Sequence, residues 1–529
     1  MAEQYSRAPD RAVVLLLLPH SIELFLIYIG LLLTGRVPTI LAWPTSRVDT
    51  RKYQRNLLHQ LQNLPAAELL SLPYLARNLD PGLPYAVSPV PSETYEHLDR
   101  MFQLELAADK IRKTDSTMAT TAAPDDALFL QFSGGTTGAQ KCIVVTSEML
   151  EIQLGLLSQA LGFGPNDAVV SWLPMYHDMG LIACFWLPLW MGAPSVQFSA
   201  QDWLMDPGLL FRLIERFHGT FCWLPNFAFS YLASQRERMP ECSLRHVRGW
   251  INCSEPVRQT SFDAFRTAFA SWGIRREQCQ ASYAMAENVF AVTQTILGSS
   301  PLTAPRSGLS SPSLKTRDLL FGLLDDVYVS SGRPLKSMQV RIRDTDGRLC
   351  ADREPGTIEI QTPCMFSGYW GSNGFQAQTL TADGWYATGD YGFLSGCDLF
   401  VIGRTKDIVI VGGQNVFPED VEMLAHTVTG VYPGRAVAFG IEDAQQGTEN
   451  LVVVAEMRGE FDAIEAKKIE REIHRTVLSG VGVAPRLVRV TPERWIVKST
   501  AGKISRRETR LRFLEEMDLP LSTVKLQVK

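Results

Sequence analysis

Apolar runs alternate with amphipathic helical stretches along the chain up to about residue 290. Each apolar run is short and is followed by a turn or a small-residue loop, as buried strands of a parallel sheet are. This rhythm predicts an α/β fold with a parallel sheet. Ligands bind beyond the carboxyl ends of the strands in such sheets, so we expect the loops after four of these runs to converge. The runs are ALFLQF (127–132), AVVSWLP (168–174), GTFCWLP (219–225) and VRGWINC (247–253).

Residues 13–35 are apolar and long enough to suggest a membrane span. They also contain a proline, a histidine, a serine and a glutamate, and a charge at membrane depth is costly. The alternative is a buried strand over 13–18, followed by a helix that begins at His20 or Ser21 and ends near Gly35. We expect these two elements rather than a span, because the same strand–turn–helix order recurs downstream. A signal peptide is not predicted, since the segment lacks a basic start and a small-residue cleavage site.

The pattern of polar and apolar positions changes after about residue 325. Short strands with Gly and Asp turns, such as QVRIRDTDGRL and GTIEIQT, predict a small antiparallel unit up to about residue 402. After GRTKD (403–407), strands and helices alternate again, with a charged helix around 463–478. We therefore expect a separate small α+β domain in this part of the chain.

The composition and net charge limit the kinds of ligand and macromolecule that the chain is expected to bind. The chain has 529 residues, which is too many for a single hydrophobic core. Its formal net charge is −5. Its charge argues against nucleic acid or an anionic membrane as the principal partner. The nine cysteines include no C-x-x-C pair, and the eight histidines show no metal-ligand spacing. Reduced thiols in a cytoplasmic protein are therefore expected, without zinc sites or a disulfide framework.

The stretch FSGGTTGAQK (132–141) has the composition of a phosphate-binding loop. It is not a Walker loop, because Gly138 and Lys141 are three positions apart and the following CIVV predicts a strand rather than a helix. It also lacks the G-x-G-x-x-G spacing of dinucleotide-binding loops. What remains is a hairpin-like loop whose backbone N–H groups and hydroxyls are suited to surround an anion. The alternative is a plain turn between two strands.

Four further stretches follow this loop in order: SYAMAENVF (282–290), GWYATGDYG (384–392), GRTKDIVIVGGQNVFPEDVE (403–422) and KSTAGKISR (498–506). Together with the loop, they resemble the ordered motifs of the adenylate-forming superfamily. This superfamily contains acyl and aryl ligases, adenylation domains of peptide synthetases and luciferases. Five motifs in the same order make the resemblance specific.

Three more stretches narrow the resemblance to one branch. WLPMYHDMGLI (172–182), LPNFAF (224–229) and NCSEPV (252–257) are similar to segments of fatty acyl-AMP ligases. The segment from about 293 to 330 is also long, and those ligases carry an insertion in this neighbourhood that hampers the use of coenzyme A. For the first stretch, the alternative is a packed loop before a buried helix.

The resemblance implies an architecture. We expect an α/β fold in which residues 1–403 form a large N-terminal adenylation domain of two α/β/α subdomains and a small β unit. Residues 404–529 are expected to form a small, mobile α+β domain that carries the catalytic lysine. The family's usual opening segment of several dozen residues is missing, so we expect either a trimmed front end or a fold that tolerates the loss.

The resemblance also implies catalytic roles. Attack of a carboxylate on the α-phosphate of ATP joins two anions, so the site must neutralise charge and align the reacting groups. Lys503 is expected to stabilise that charge with its ammonium group. Glu287 matches the family's magnesium-binding glutamate, and Thr137 is the second expected magnesium contact. His177 would lie at the mouth of the acyl tunnel in a positional role, and Lys406 at the hinge about which the small domain rotates.

Other residues are expected to bind the nucleotide. The glycine loop would hold the β- and γ-phosphates, and Tyr283 would stack on adenine with Ser254 and Glu255 at the edge of the ring. Asp390 would accept hydrogen bonds from the ribose hydroxyls, and Arg404 would add a second ribose or phosphate contact. The complete set of expected nucleotide contacts is Ser133, Gly135, Thr136, Thr137, Gly138, Lys141, Ser254, Glu255, Tyr283, Asp390 and Arg404.

Two positions depart from the family pattern. Gln140 replaces the proline that usually precedes the loop lysine, and Ala284 replaces the glycine that usually follows the adenine-stacking tyrosine. Neither change removes a reacting group, so the expected chemistry is unaffected.

The sequence therefore predicts an enzyme that uses ATP and Mg²⁺ to convert a fatty acid to an acyl-adenylate. It would then pass the acyl group to the phosphopantetheine thiol of an acyl carrier protein. An acyl- or aryl-coenzyme A synthetase is the alternative, because the glycines of VGGQN lie near where that branch forms its second channel. The third hypothesis is a non-catalytic lipid- or nucleotide-binding module, against which the presence of Lys503, Glu287 and Asp390 argues.

Overall fold

The computed structural model describes residues 12–43, 57, 66–71, 86–89, 127–132, 141–306, 309, 327–371, 374–412, 414–443, 448–498 and 504–517. The first strands of this part of the chain are β1 Val13–Leu17, β2 Val37–Ile40, β3 Ala66–Ser71, β4 Ala86–Pro89, β5 Ala127–Phe132, β6 Cys142–Thr146, β7 Val169–Ser171, β8 Ser195–Gln197, β9 Phe221–Leu224, β10 Gly249–Asn252, β11 Cys279–Ala284 and β12 Ala291–Gln294. The later strands are β13 Thr303–Pro305, β14 Val327–Val329, β15 Arg333–Pro334, β16 Gln339–Arg343, β17 Gly356–Gln361, β18 Gly368–Gly371, β19 Gly374–Ala377, β20 Tyr386–Ser395, β21 Asp398–Arg404, β22 Val409–Val411, β23 Gln414–Val416, β24 Val431–Asp443, β25 Thr448–Met457 and β26 Leu487–Thr491.

Helices connect many of these strands. The α-helices are α1 Ile22–Leu33, α2 Ser147–Leu161, α3 Leu187–Met191, α4 Ala200–Met205, α5 Leu209–Phe217, α6 Asn226–Ser234, α7 Gln259–Ala268, α8 Pro418–His426, α9 Ala463–Val481 and α10 Arg506–Glu516. A π-helical segment covers Met179–Trp186, and short 3₁₀ turns cover Arg236–Arg238, Ala270–Trp272, Arg276–Gln278, Ala286–Asn288 and Thr405–Asp407.

Strand β1 in the first large sheet is buried on both faces. The eight strands of this sheet lie in the order β19-β18-β6-β5-β2-β1-β3-β4. Strand β1 is parallel to both of its neighbours, β2 and β3, and all five of its side chains are buried. Val14 and Leu16 enter the largest apolar cluster, whereas Val13, Leu15 and Leu17 enter a second cluster on the opposite face. The continuous apolar run of β1 therefore follows from burial on two sides.

The apolar stretch near the start of the chain forms a strand and a helix, as expected. Ser21 accepts a hydrogen bond from the N–H of Leu24 at 3.5 Å and begins α1. At the other end, the hydroxyl of Thr34 donates to the carbonyl of Gly30 at 2.9 Å. Gly35 then adopts a φ of +72°, which ends the helix. Within the described residues, no helix is both long enough and apolar enough to cross a membrane.

The second large sheet contains the expected parallel strands. Its order is β15-β12-β11-β10-β9-β7-β8, and the five strands from β11 to β8 are parallel neighbours. The loops after β7, β9 and β10 therefore leave one edge of one sheet. The run 127–132 differs from this arrangement, because β5 lies in the first sheet and pairs antiparallel with β6. The four predicted loops are thus divided between two sheets.

The later part of the chain also follows the sequence pattern. Strands β16, β17, β20 and β21 form an antiparallel sheet, and β24, β25 and β26 form a smaller sheet against α8 and α9. The apolar cluster between these last elements draws all of its members from residues 409–490. This separate core supports a domain boundary near residue 404, which remains a prediction.

Candidate active site

Strands β20 and β21 bring two of the predicted residues together. Asp390 and Arg404 are partners across this antiparallel pair, and Arg404 Nε lies 2.8 Å from Asp390 Oδ1. The hydroxyl of Tyr283, near the end of β11, donates a hydrogen bond to the other oxygen of the same carboxylate. Burial raises the pKa of Asp390, whereas Arg404 and the Tyr283 hydrogen bond lower it. Each carboxylate oxygen can accept a second hydrogen bond, so Asp390 can still accept one from a ligand hydroxyl.

A second group of contacts surrounds Glu287. Tyr369 Oη donates a hydrogen bond to Glu287 Oε1 at 3.3 Å, and Tyr386 Oη lies 3.1 Å from Tyr369 Oη. The ammonium of Lys141 stands over the ring of Tyr369, 4.3 Å from its centroid, because β18 pairs with β6 just beyond this lysine. The backbone of Glu287 is also held, since its carbonyl accepts the N–H of Phe366 at 2.8 Å.

The two groups share one electrostatic environment. Burial raises the pKa of Glu287, and Arg404 and Lys141 lower it. Burial lowers the pKa of Lys406, and the positive charges of Arg404 and Lys141 lower it further. The cations Lys141, Arg404 and Lys406 therefore act on two carboxylates, the partly buried Glu287 and the buried Asp390. Such an arrangement suits a polyanionic ligand that carries hydroxyl groups.

The segment YHDMGL has a local structural explanation. Asp178 Oδ1 accepts the N–H of Met179 at 2.7 Å and begins the π-helical segment, and the same oxygen lies 2.6 Å from His177 Nδ1. A Cβ at Gly180 would lie 2.3 Å from the carbonyl oxygen of Pro174, so only glycine fits there. This agrees with a packed loop before a buried helix. The placement of His177 at an acyl tunnel remains a prediction.

Ser254 and Glu255 follow β10 at the edge where Tyr283 lies on the neighbouring strand β11. Ser254 has a φ of +73°, which turns the chain at this edge. Glu255 Oε2 accepts the N–H of Phe227 at 3.0 Å, in the first turn of α6. Glu255 thus has a capping role that the sequence did not reveal. Contact of either residue with adenine stays a prediction.

The remaining predicted residues lie outside the described part of the chain. They are Ser133, Gly135, Thr136, Thr137, Gly138 and Lys503. For the glycine loop, the flanking strands β5 and β6 form the expected antiparallel pair.

Sequence reasoning missed the role of Arg506, although the motif KSTAGKISR ends with it. The guanidinium of Arg506 lies 2.7 Å from Asp407, 2.9 Å from Glu422 and 3.2 Å from Glu419. Its Nε also donates to the carbonyl of Ala438 at 2.9 Å. This arginine therefore ties the start of α10 to α8 and to the 3₁₀ turn that contains the predicted hinge.

Glu287 is suited to a magnesium ion whose other ligands come from ATP. Within the described ranges, no group of three or more His, Cys, Asp or Glu side chains could hold a metal ion. A metal site built entirely from such protein side chains is therefore absent from that part of the chain. Magnesium at nucleotide sites is held by one or two carboxylates together with phosphate oxygens and water. A single carboxylate with Arg404 and Lys141 near it fits this kind of site.

Comparison with known proteins decides the family. A family model described as AMP-binding enzyme matches residues 8–370 of the chain. The chain belongs to this family. This AMP-binding enzyme is 28% identical over 413 residues to the medium-chain fatty acid–acyl carrier protein ligase JamA of Moorena producens, covering 74% of this chain and 68% of JamA. It is also 28% identical over 538 residues to fadD25 of Mycobacterium tuberculosis, named as a fatty-acid–CoA ligase, covering 95% of this chain and 87% of fadD25.

The fold of the AMP-binding enzyme agrees with that of solved structures. A structure from a study of fatty acyl-adenylate ligases of E. coli and L. pneumophila has a TM-score of 0.78 at 23% identity, covering 97% of this chain and 89% of that chain. The expected resemblance to the adenylate-forming superfamily, and within it to the fatty acyl-AMP ligases, is confirmed. The expected α/β fold class is confirmed with it.

Proposed function

We propose that this AMP-binding enzyme activates a fatty acid as its acyl-adenylate and then transfers the acyl group to the phosphopantetheine thiol of an acyl carrier protein. In the first step, a carboxylate oxygen of the fatty acid bonds to the α-phosphorus of ATP. The bond from that phosphorus to the bridging oxygen breaks, and pyrophosphate leaves. In the second step, the thiol sulfur bonds to the acyl carbon, AMP leaves, and the thiol proton passes to solvent.

The observation that carries the first step is the convergence of residues from separate motifs. The contact of Asp390 with Arg404 and Tyr283 supports a ribose site, because a buried carboxylate accepts hydrogen bonds from hydroxyl groups. Tyr369 contacts Lys141 with its ring face and Glu287 with its hydroxyl, which supports a triphosphate site next to it. Magnesium, bound with ATP, would neutralise phosphate charge at Glu287.

The cations of the site would prepare the attack. Two anions must approach each other, so fixed positive charge that needs no reorganisation lowers the barrier. Arg404 and Lys141 would bind the nucleotide before the reaction, and Lys503 would add its ammonium at the α-phosphate. Ser133, Gly135, Thr136, Thr137 and Gly138 would surround the phosphates that leave as pyrophosphate.

The acceptor of the second step is the finer part of the proposal. JamA is named for transfer to an acyl carrier protein, which supports a carrier protein as the acceptor. The relative fadD25 is named as a CoA ligase and favours coenzyme A as the second candidate. Both candidates share the same adenylation step.

Two linked assays test the proposal. We expect pyrophosphate release from ATP to depend on added fatty acid and Mg²⁺. With a holo-acyl carrier protein we expect thioester formation, and with coenzyme A at the same thiol concentration a rate at least tenfold lower. If pyrophosphate is released and acyl-CoA forms rapidly, but no thioester forms on the carrier protein, the acceptor is coenzyme A and not the carrier protein. No fatty-acid-dependent pyrophosphate release with chains of 4 to about 18 carbons would reject the enzyme function.

The Asp390→Asn variant tests the ribose site. The amide keeps the size of the side chain and removes the negative charge, so a hydrogen bond to a charged acceptor becomes an ordinary one. We expect KM for ATP to rise about tenfold, because such charge-assisted bonds are worth about 1.5–3 kcal/mol against roughly 1 kcal/mol for neutral bonds. KM for the fatty acid should stay within about twofold. Calorimetry of ATP binding checks the affinity directly.

Asp398→Asn is the matched control for this variant. Asp398 is also buried, lies on β21, and pairs with Arg333 at 2.9 Å, but it belongs to a different set of contacts. We expect its KM for ATP to equal that of the unmodified enzyme within about twofold. An unchanged ATP affinity in Asp390→Asn, or equal losses in the two variants, would contradict a ribose role for Asp390.

A further inference from the structure

We propose that Tyr369 is a positioning residue that holds the metal-binding carboxylate of Glu287 and the phosphate-binding ammonium of Lys141 in one fixed arrangement. The inference deepens the proposed function and rests on it. It is carried by a single side chain that contacts both groups with different parts, the hydroxyl with Glu287 and the ring face with Lys141.

The direction of the hydrogen bonds is fixed by the number of protons. A tyrosine hydroxyl has one proton to donate, and Tyr369 gives it to Glu287 Oε1. The hydroxyl of Tyr386, 3.1 Å from Tyr369 Oη, must therefore donate to the Tyr369 oxygen. Tyr386 thus donates to Tyr369, and Tyr369 donates to Glu287. Each bond polarises the next, so the bond that reaches the carboxylate is strengthened.

Neighbouring packing fixes the ring of Tyr369. The ring of Phe366 lies 4.7 Å from that of Tyr369 and 5.4 Å from that of Tyr386, so the two tyrosines share one aromatic neighbour. The N–H of Phe366 also donates to the carbonyl of Glu287. The same short segment therefore holds the backbone of Glu287 and the rings that contact its side chain. This leaves Tyr369 with its hydroxyl directed at the carboxylate.

The ring face of Tyr369 positions a flexible cation. A lysine side chain has four rotatable carbon bonds, and an ammonium over an aromatic face is attracted by the ring. Lys141 lies directly before β6, so the ring face of Tyr369 fixes its ammonium at the start of this strand. Lys141 and Glu287 are thus held by two parts of one side chain, the ring face and the hydroxyl.

The hydroxyl of Tyr386 connects this arrangement to the ribose site. Tyr386 is the first residue of β20, and Asp390 lies four positions further along the same strand. The same strand therefore carries the support of Tyr369 and the carboxylate that contacts Arg404 and Tyr283, with an irregular turn of the backbone at Gly389, φ +76°, between them. Through Tyr386, the hydroxyl of Tyr369 is connected to the strand whose Asp390 would bind the ribose.

A tyrosine that only fills space would behave differently from a positioning residue. Removal of its hydroxyl would then lower stability without a selective effect on the metal. A positioning role instead predicts that metal affinity falls while binding of metal-free ATP does not. The decisive readout is therefore metal binding, measured apart from the reaction.

The Tyr369→Phe variant tests this directly. The ring over Lys141 remains, and the hydrogen bond to Glu287 is lost. We titrate Mn²⁺ into full-length enzyme and ATP without fatty acid and follow the free ion by electron paramagnetic resonance. We expect the affinity for Mn²⁺ to fall about tenfold, with metal-free ATP binding within about twofold of the unmodified enzyme. Tyr369→Leu should lose the same metal affinity and also weaken metal-free ATP binding about threefold to tenfold.

Two further variants complete the test. Tyr391→Phe is the matched control, because the Tyr391 hydroxyl donates to the neutral carbonyl of Pro355 at 3.4 Å. Its Mn²⁺ affinity should not change. Tyr386→Phe keeps the hydrogen bond from Tyr369 to Glu287 but removes the one that Tyr386 donates to Tyr369. We therefore expect a smaller fall in Mn²⁺ affinity, of about threefold. This variant decides the question if Tyr369→Phe does not fold.

The results separate the inference from the proposed function. Unchanged Mn²⁺ affinity in Tyr369→Phe, or equal losses in Tyr369→Phe and Tyr391→Phe, would overturn the positioning role even if pyrophosphate release is normal. If Tyr369→Phe does not fold, unchanged Mn²⁺ affinity in Tyr386→Phe overturns it. An unmodified enzyme that binds ATP and Mn²⁺ but releases no pyrophosphate with any fatty acid would reject the proposed function and leave the positioning result standing.

Discussion

Lys503→Ala is expected to lower the rate of pyrophosphate release by about 10²–10³-fold, the usual cost of removing one preorganised group that stabilises charge in a transition state. The ammonium of Lys503 would meet the fatty acid carboxylate and the α-phosphate only as the reaction proceeds. We therefore expect kcat to fall while KM for ATP stays within about threefold. Initial rates of pyrophosphate release at saturating fatty acid measure both constants.

Lys468→Ala is the matched control for this prediction. It also removes one positive charge from the last part of the chain, but its side chain is exposed and pairs with Glu465 at 2.8 Å on the surface of α9. We expect its rate to match that of the unmodified enzyme. Full activity in Lys503→Ala would favour a non-catalytic module that binds nucleotide, and equal losses in the two variants would indicate a general effect of charge.

The residues that follow Lys503 are hydrogen-bonded to the segment that comes after β26. Ile504 forms an antiparallel bridge with Lys498, and the N–H of Ser505 donates to the carbonyl of Val497 at 2.8 Å. The reach of Lys503 therefore depends on how the C-terminal region is oriented. In the described conformation, Asp420 on α8 lies 2.8 Å from Arg306 in the larger region.

Local signals explain why the elements of the fold were predictable. The strand at 13–18 and the helix after it follow from an apolar run, a Ser cap and a Gly stop, all of which act within a few residues. The pairing of β5 could not be predicted in the same way. Its apolar run is like those of β7 and β9, and the choice between two sheets depends on contacts with distant strands. Periodicity carries no information on that choice.

The same division holds for the candidate site. Asp390, Glu287 and Arg404 could be predicted as site residues because each lies in a motif with a fixed sequence neighbourhood. The bond of Tyr369 to Glu287 joins residues 82 positions apart, and no spacing in the sequence indicates it. Arg506 meets carboxylates up to 99 positions away. Tyr369 and Arg506 contact partners that tertiary packing brings close, so only the structure reveals these contacts.

Arg506→Met is expected to destabilise the C-terminal region by about 3–5 kcal/mol at pH 8, the cost of leaving buried charges without their partner. Methionine keeps the length and apolar stem of the side chain and removes the cation that Asp407, Glu419 and Glu422 share. Urea denaturation followed by circular dichroism gives the change, and hydrogen exchange of the β24 and β25 amides assigns it to this region. Arg475→Met, which removes an exposed arginine on α9, should change the stability by less than about 0.5 kcal/mol.

The destabilisation by Arg506→Met should also depend on pH. Burial raises the pKa of Glu422 from 4.5 to about 7, and Arg506 opposes that rise. A carboxyl whose pKa is higher in the folded state lowers stability as the pH rises from about 4.5 to that value, because only the folded state still holds the proton. Without Arg506 the pKa of Glu422 rises further and the loss extends to higher pH. The destabilisation should therefore be smaller at pH 5.5 than at pH 8, and an equal loss at both pH values would show that Arg506 does not lower the pKa of Glu422.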